Sequence, residues 1–94
     1  MRGMPSIELL EATHRFPGPY MFKVIGRPDD GFVARVIAAV REELAFEYDP
    51  PFRLRKSAGG RHISITLEPH IQTGQQVLAV YRRLQVTEGL VLLM

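Results

Sequence analysis

The sequence predicts an α+β sandwich whose elements run strand, helix, strand, strand, helix, strand. Three observations carry that prediction. Val33, Val36, Ile37, Val40 and Leu44 recur at the spacing of one helix face. In residues 62–68, His62, Ser64, Thr66 and Glu68 alternate with Ile63, Ile65 and Leu67, the pattern of a strand with one wet and one buried face. Turn residues, among them Asp49-Pro50-Pro51, Gly59-Gly60 and Gly89, punctuate the chain between such stretches.

The elements follow in order. Ser6 is placed to cap a short helix ending near Thr13, and Phe16-Pro17-Gly18-Pro19 then forbids regular structure. Residues 1–18 therefore form an N-terminal extension and residues 19–94 the main domain. Residues 20–25 are aromatic and β-branched and close at Gly26, which makes them a strand. Tyr20, Phe22 and Val24 share one face, and Met21, Lys23 and Ile25 the other. Gly26-Arg27-Pro28-Asp29-Asp30-Gly31 leads into the first long helix, with Asp29 or Asp30 as its N-cap. Residues 52–55 alternate as a strand, and Gly59-Gly60 turns it into the next one. A second long helix is expected over residues 72–84 on a stripe of Val77, Leu78, Tyr81 and Leu84. The last strand spans residues 90–94.

Right-handed crossovers and hairpin pairing arrange this order as a ferredoxin-like βαββαβ sandwich, with four antiparallel strands and two helices on one face. Alternation sends Phe22, Val24, Phe52, Leu54, Ile63, Ile65, Leu67, Leu90 and Leu92 toward the helices. It leaves Lys23, Arg53, Arg55, His62, Ser64, Thr66, Val91 and Leu93 on the open face.

Composition bounds the function. The chain has 94 residues, 46% hydrophobic and 23% charged, as expected of one soluble domain. Without cysteine it has no disulfide, no thiol nucleophile and no thiolate metal site, which excludes the copper-chaperone version of this fold. Its apolar runs are too short to cross a bilayer, and acids interrupt the N-terminus where a signal peptide is apolar. The expected location is the cytoplasm. A net charge of +2 implies no particular partner, but Arg53, Arg55, Lys56 and Arg61 fall close together beside His62. They are either a grip for an anion or nucleic acid, or a solvated turn.

Residues 20–26, the hairpin from Ser57 to Thr66 and the strand from Gly89 to Met94 resemble the YbeD-like family, small bacterial proteins of unknown function. The aromatic-x-Lys-Val-x-Gly stretch and the Ser-x-Gly…Ser-Ile-Thr hairpin are the most specific parts. The resemblance implies a ferredoxin-like fold similar to the ACT regulatory domains that bind amino acids, and it brings no catalytic residues. It points to Gly26, Arg27, Asp29, Asp30 and Gly31 as a ligand loop, although Asp and Gly also suit any capped connection. The chain has Gly60-Arg61 where the family often carries an aromatic, and Val91 where it often carries arginine.

Known activities of the same topology fit poorly. An RNA-recognition motif stacks bases on outward aromatics, whereas Met21, Lys23, Ile25, Ser64 and Thr66 hold those positions and only His62 could stack. An acylphosphatase needs an arginine and an asparagine; Arg27 is in the right loop, but the chain has no asparagine, and Asp29 and Asp30 would repel the substrate. His14, His62 and His70 have no metal-site spacing, and nothing calls for a cofactor. The expectation is a non-enzymatic regulatory or protein-interaction module, with small-ligand sensing of the ACT type as one form. Met21, Ile25, Val91 and Leu93 around Lys23 make the open face partly apolar, either a surface for a protein partner or a second copy, or the mixed solvated face of a monomer. Anion or nucleic-acid binding at the basic tip is the alternative.

Overall fold

The computed structural model describes residues 4–29 and 31–94. Helix α1 (Ile7–Thr13) begins at Ser6, whose hydroxyl accepts the Leu9 amide at 3.1 Å. Strand β1 (Gly18–Pro19), strand β2 (Phe22–Gly26) and helix α2 (Phe32–Glu43) follow. Strands β3 (Phe52–Lys56) and β4 (Ile63–Leu67) form a hairpin. Strand β5 (His70–Ile71), helix α3 (Gly74–Gln85) and strand β6 (Leu90–Leu93) complete the chain.

The main sheet has four strands in the order β3-β4-β2-β6, every neighbouring pair antiparallel. Its inner face buries Phe22, Val24, Ile63, Ile65 and Leu67 against Val36, Val40, Val77 and Leu84 of α2 and α3. The helix stripes explain that packing: each helix buries only the face on which its apolar residues recur. Thr73 caps α3 by accepting the Gln76 amide at 3.3 Å. In the hairpin turn Gly59 and Gly60 hold φ of 83° and 69°, a region open to glycine at little cost.

The structure departs from the sequence-based expectation in four places. A second, two-stranded sheet pairs β1 with β5, so the described residues form six strands in two sheets. Strands of two residues are too short to show a periodicity. Second, the parity of β6 is reversed at its end. Ile25 pairs with Leu92 but Gly26 pairs with Leu90, leaving Val91 as the extra residue of a bulge. Leu93 therefore lies in the core at 7% exposure, not on the open face, and Leu92 is 49% exposed, not packed against the helices.

Third, Phe52 and Leu54 have the inward parity expected of them, opposite Leu67 and Ile65, yet remain 42% and 49% exposed. β3 is the edge strand, and every one of its residues is exposed. Alternation predicts which face a residue occupies, but not whether a helix reaches far enough to cover it. Fourth, Gly31 is the N-cap of α2 and makes no side-chain cap bond. Asp29 instead accepts the Gly31 amide at 3.0 Å, and Asp30, the other expected cap, lies outside the described residues.

Candidate functional site

The register of the main sheet brings the open-face side chains into two rows. Arg53 opposes Thr66, Thr66 opposes Lys23, and Lys23 exchanges both backbone hydrogen bonds with Met94 at 3.1 and 2.8 Å. In the next row Arg55 opposes Ser64, Ser64 opposes Ile25, and Ile25 opposes Leu92. Cations thus gather toward the β3 side and apolar side chains toward the β6 side. Met21, Leu92 and Met94 are each about half exposed there, at 52%, 49% and 48%.

Two shallow hollows lie on this face. One of about 390 Å³ is lined by Lys23, Ile25, Arg55, His62, Ser64 and Met94, together with Lys56 and Ser57. The other, about 340 Å³, is lined by Lys23, Arg53, Leu54, Arg55, Ser64 and Thr66. Lys23, Arg55 and Ser64 belong to both. Glu68 lies 3.6 Å from Arg53, an exposed pair of the kind that contributes about 0–1 kcal/mol. The guanidinium and ammonium groups are therefore available to an external anion at little internal cost.

The basic cluster seen in the sequence is divided by the fold. Arg53, Arg55 and His62 join Lys23 on the open face, whereas Lys56 stands opposite Ile63 and Arg61 is exposed on the turn. Val91 is the exposed bulge residue, and Leu93 is in the core. Because Arg53 and Arg55 project from an uncovered strand, replacing both by Ala is expected to change stability by no more than about 0.5 kcal/mol. Urea denaturation checks this; a clearly larger loss would mean that the pair holds the fold.

The loop at residues 26–31 is fastened from several sides. The Arg27 amide donates to the Gly89 carbonyl at 3.0 Å. Arg35 donates to both Asp29 carboxylate oxygens at 3.0 Å and to the Glu88 carbonyl at 3.1–3.2 Å. The Gly31 amide, with the Arg35 guanidinium behind it, holds the Asp29 carboxyl below its ordinary range. Gly26 and Gly89 leave a slot for the ring of Phe32, which is fully buried. This network ties the loop to the turn before β6.

Two further features carried no signal in the sequence. On the helix side the Tyr20 and Tyr81 hydroxyls meet at 3.1 Å within a cluster that includes His14, Phe16 and Phe22. Burial pushes the Tyr81 hydroxyl well up, and the Tyr20 contact adds to it. A hollow of about 350 Å³ lies among Pro19, Phe46, Tyr48, Pro50 and Pro51, with Tyr48 at 80% exposure. Among the described residues no three His, Asp or Glu side chains come close enough to hold a metal ion, and no helix is long and apolar enough to cross a membrane.

Comparison with known proteins gives the same result along almost the whole chain. Residues 11–94 match the family model described as "Protein of unknown function (DUF493)". A UPF0250 protein of Shewanella woodyi is 32% identical over 82 residues, covering 87% of this chain and 86% of the relative. One from Shewanella piezotolerans is 30% identical over 82 residues, with the same coverage of 87% and 86%. A UPF0250 protein of Ralstonia nicotianae is 26% identical over 85 residues, covering 85% of this chain and 82% of the relative.

Proposed function

Since the chain belongs to the DUF493 family of unknown function, the YbeD-like group its sequence resembles, we propose that it acts by binding, as a small regulatory or protein-interaction module. Its framework is read as ferredoxin-like, supported by the order β3-β4-β2-β6 and by the packing of α2 and α3 on one sheet face. Its place of work is the bacterial cytoplasm.

One observation carries the reading. An uncovered sheet face joins Lys23, Arg53 and Arg55 to the half-exposed Leu92 and Met94, with Ile25 between them. Cations held by no more than one exposed ion pair among the described residues, beside apolar side chains, are what a partner surface combines, one giving orientation and encounter rate, the other giving affinity. Small-ligand sensing at residues 26–31 is the weaker form, because Asp29, Gly31 and the Arg27 amide already have partners within the chain. Anion or nucleic-acid binding is the second reading, favoured by the hollow that Lys23, Arg53, Arg55, Ser64 and Thr66 line.

An amide NMR spectrum of the ¹⁵N-labelled protein in a bacterial extract tests this. A protein partner should broaden the amides of Lys23, Arg53, Arg55, Ser64 and Thr66, survive nuclease and disappear with protease. Broadening removed by nuclease and by salt would favour the second reading, because phosphate contacts weaken steeply as salt rises. Shifts confined to residues 26–31 would favour a small ligand. An unperturbed open face would contradict the proposal.

A further inference from the structure

We infer that the free edge of β3 takes up an extended segment of a partner protein as a fifth strand, and that this segment alternates acidic with apolar residues. The inference rests on the reading of the chain as a protein-interaction module and names the mode and chemistry of that interaction.

The edge is open and regular. β3 is outermost in the sheet, and its register with β4 runs unbroken from Phe52 to Lys56. Its ladder is anchored at both ends: Ser57 donates its amide to the His62 carbonyl, and Glu68 donates its amide to the Pro51 carbonyl, both at 3.0 Å. Antiparallel ladders alternate, so Pro51, Arg53, Arg55 and Ser57 turn their backbone groups inward to β4. Phe52, Leu54 and Lys56 turn theirs outward, leaving a row of donors and acceptors for a new strand. At the opposite edge β6 is shorter and interrupted by its bulge, which makes it a poor template.

Side chains on the two faces of this edge state what the added strand must carry. On the helix side, Phe52 and Leu54 are exposed at 42% and 49% and have the parity of core residues. An apolar residue placed beside them would extend the core outward. On the open side, Arg53 and Arg55 flank the same edge with Lys23 behind them, and among the described residues their one ion pair is Arg53 with Glu68, at 3.6 Å. Directly opposed side chains share a face, so each residue of the new strand that falls beside an arginine is favoured when acidic. Strand addition draws affinity from the backbone and specificity from alternate side chains, and here those side chains are two arginines and two apolar groups.

The same pattern disfavours a second copy as the occupant. A two-fold axis through the sheet that pairs β3 with itself around Leu54 sets Arg53 against Arg55 of the other copy. Axes through Arg53 or Arg55 set each arginine against itself. Like charges directly opposed are destabilising, so in these central registers the edge resists its own kind and favours an acidic partner.

Fluorescence anisotropy with short labelled peptides provides the test. A peptide alternating Glu and Val is expected to bind the intact protein, and to bind more weakly as salt rises. A peptide of the same composition with Glu and Val in separate blocks should bind about tenfold more weakly or worse. N-methylation of the alternating peptide on the residues that face β3 should abolish binding, while methylation of the other set should leave it. Arg53→Glu with Arg55→Glu should remove binding of the alternating peptide while leaving the urea midpoint near that of the wild type. Equal binding of both peptides, or indifference to N-methylation, would overturn strand addition. An RNA oligonucleotide of equal charge binding as tightly would overturn the acidic-peptide assignment. If these peptides fail while the open face still broadens in extract, this inference alone falls; if both fail, so does the function it rests on.

Discussion

Gly26→Ala is expected to destabilise the domain by about 3 kcal/mol, at the upper end of the range for overpacking a core. A methyl group built on Gly26 collides with the outer edge of the Phe32 ring. That ring is fully buried and has no room to swing away. Gly89 borders the same ring; an added Cβ there would be 2.8 Å from Phe32 Cδ1, and φ is +97°. The ring therefore occupies a slot made by two glycines, one at the end of β2 and one before β6. Helix α2 begins with this residue, so the slot sets where the helix starts against the sheet. If this account holds, Phe32→Leu made in the Gly26→Ala background should cost less than the same change in the wild type, because the smaller side chain relieves the collision. Urea denaturation of the four proteins measures the coupling. A wild-type midpoint for Gly26→Ala would contradict the slot.

Leu93→Asp should be more damaging still, whereas Leu92→Asp should be close to neutral. Leu93 is 7% exposed and opposes Val24 in the core, so a carboxylate there is buried without a partner. The cost of such a burial is several kcal/mol, a large part of the roughly 5–15 kcal/mol that holds a domain together. Leu92 is 49% exposed beside Ile25 on the open face, where a surface substitution typically changes stability by no more than about 0.5 kcal/mol. Plain alternation from Leu90 gives the opposite ranking. Comparing the urea midpoints therefore reads the bulge at Val91 directly; Leu92→Asp as the worse of the two would mean that β6 is regular.

That contrast shows where the sequence was legible. Stripes of Val36, Ile37 and Val40, and of Val77, Tyr81 and Leu84, announce their helices because a polar face interrupts them. Ile63, Ile65 and Leu67 announce β4 for the same reason with a period of two. From those elements the order of the sheet follows, and with it the meeting of Lys23, Arg53 and Arg55 on one face. Leu90-Val91-Leu92-Leu93-Met94 has no polar residue to mark its parity, so nothing local reveals a bulge whose cause is the pairing with β2. Phe32 directly follows a loop glycine, and only the folded chain shows it reaching back to Gly26. The exposure of Phe52 and Leu54 likewise depends on how far the helices extend over the sheet, a property of no single segment.

The claim that the open sheet face is the working surface is tested most directly by photo-crosslinking in living bacteria. A benzophenone amino acid replaces Thr66, on the open face between Arg53 and Lys23, or Arg82, exposed on the last turns of α3. Discrete protein adducts from position 66 and none from position 82 are the predicted result. Adducts from position 82 alone would place the partner on the helix layer and contradict the account.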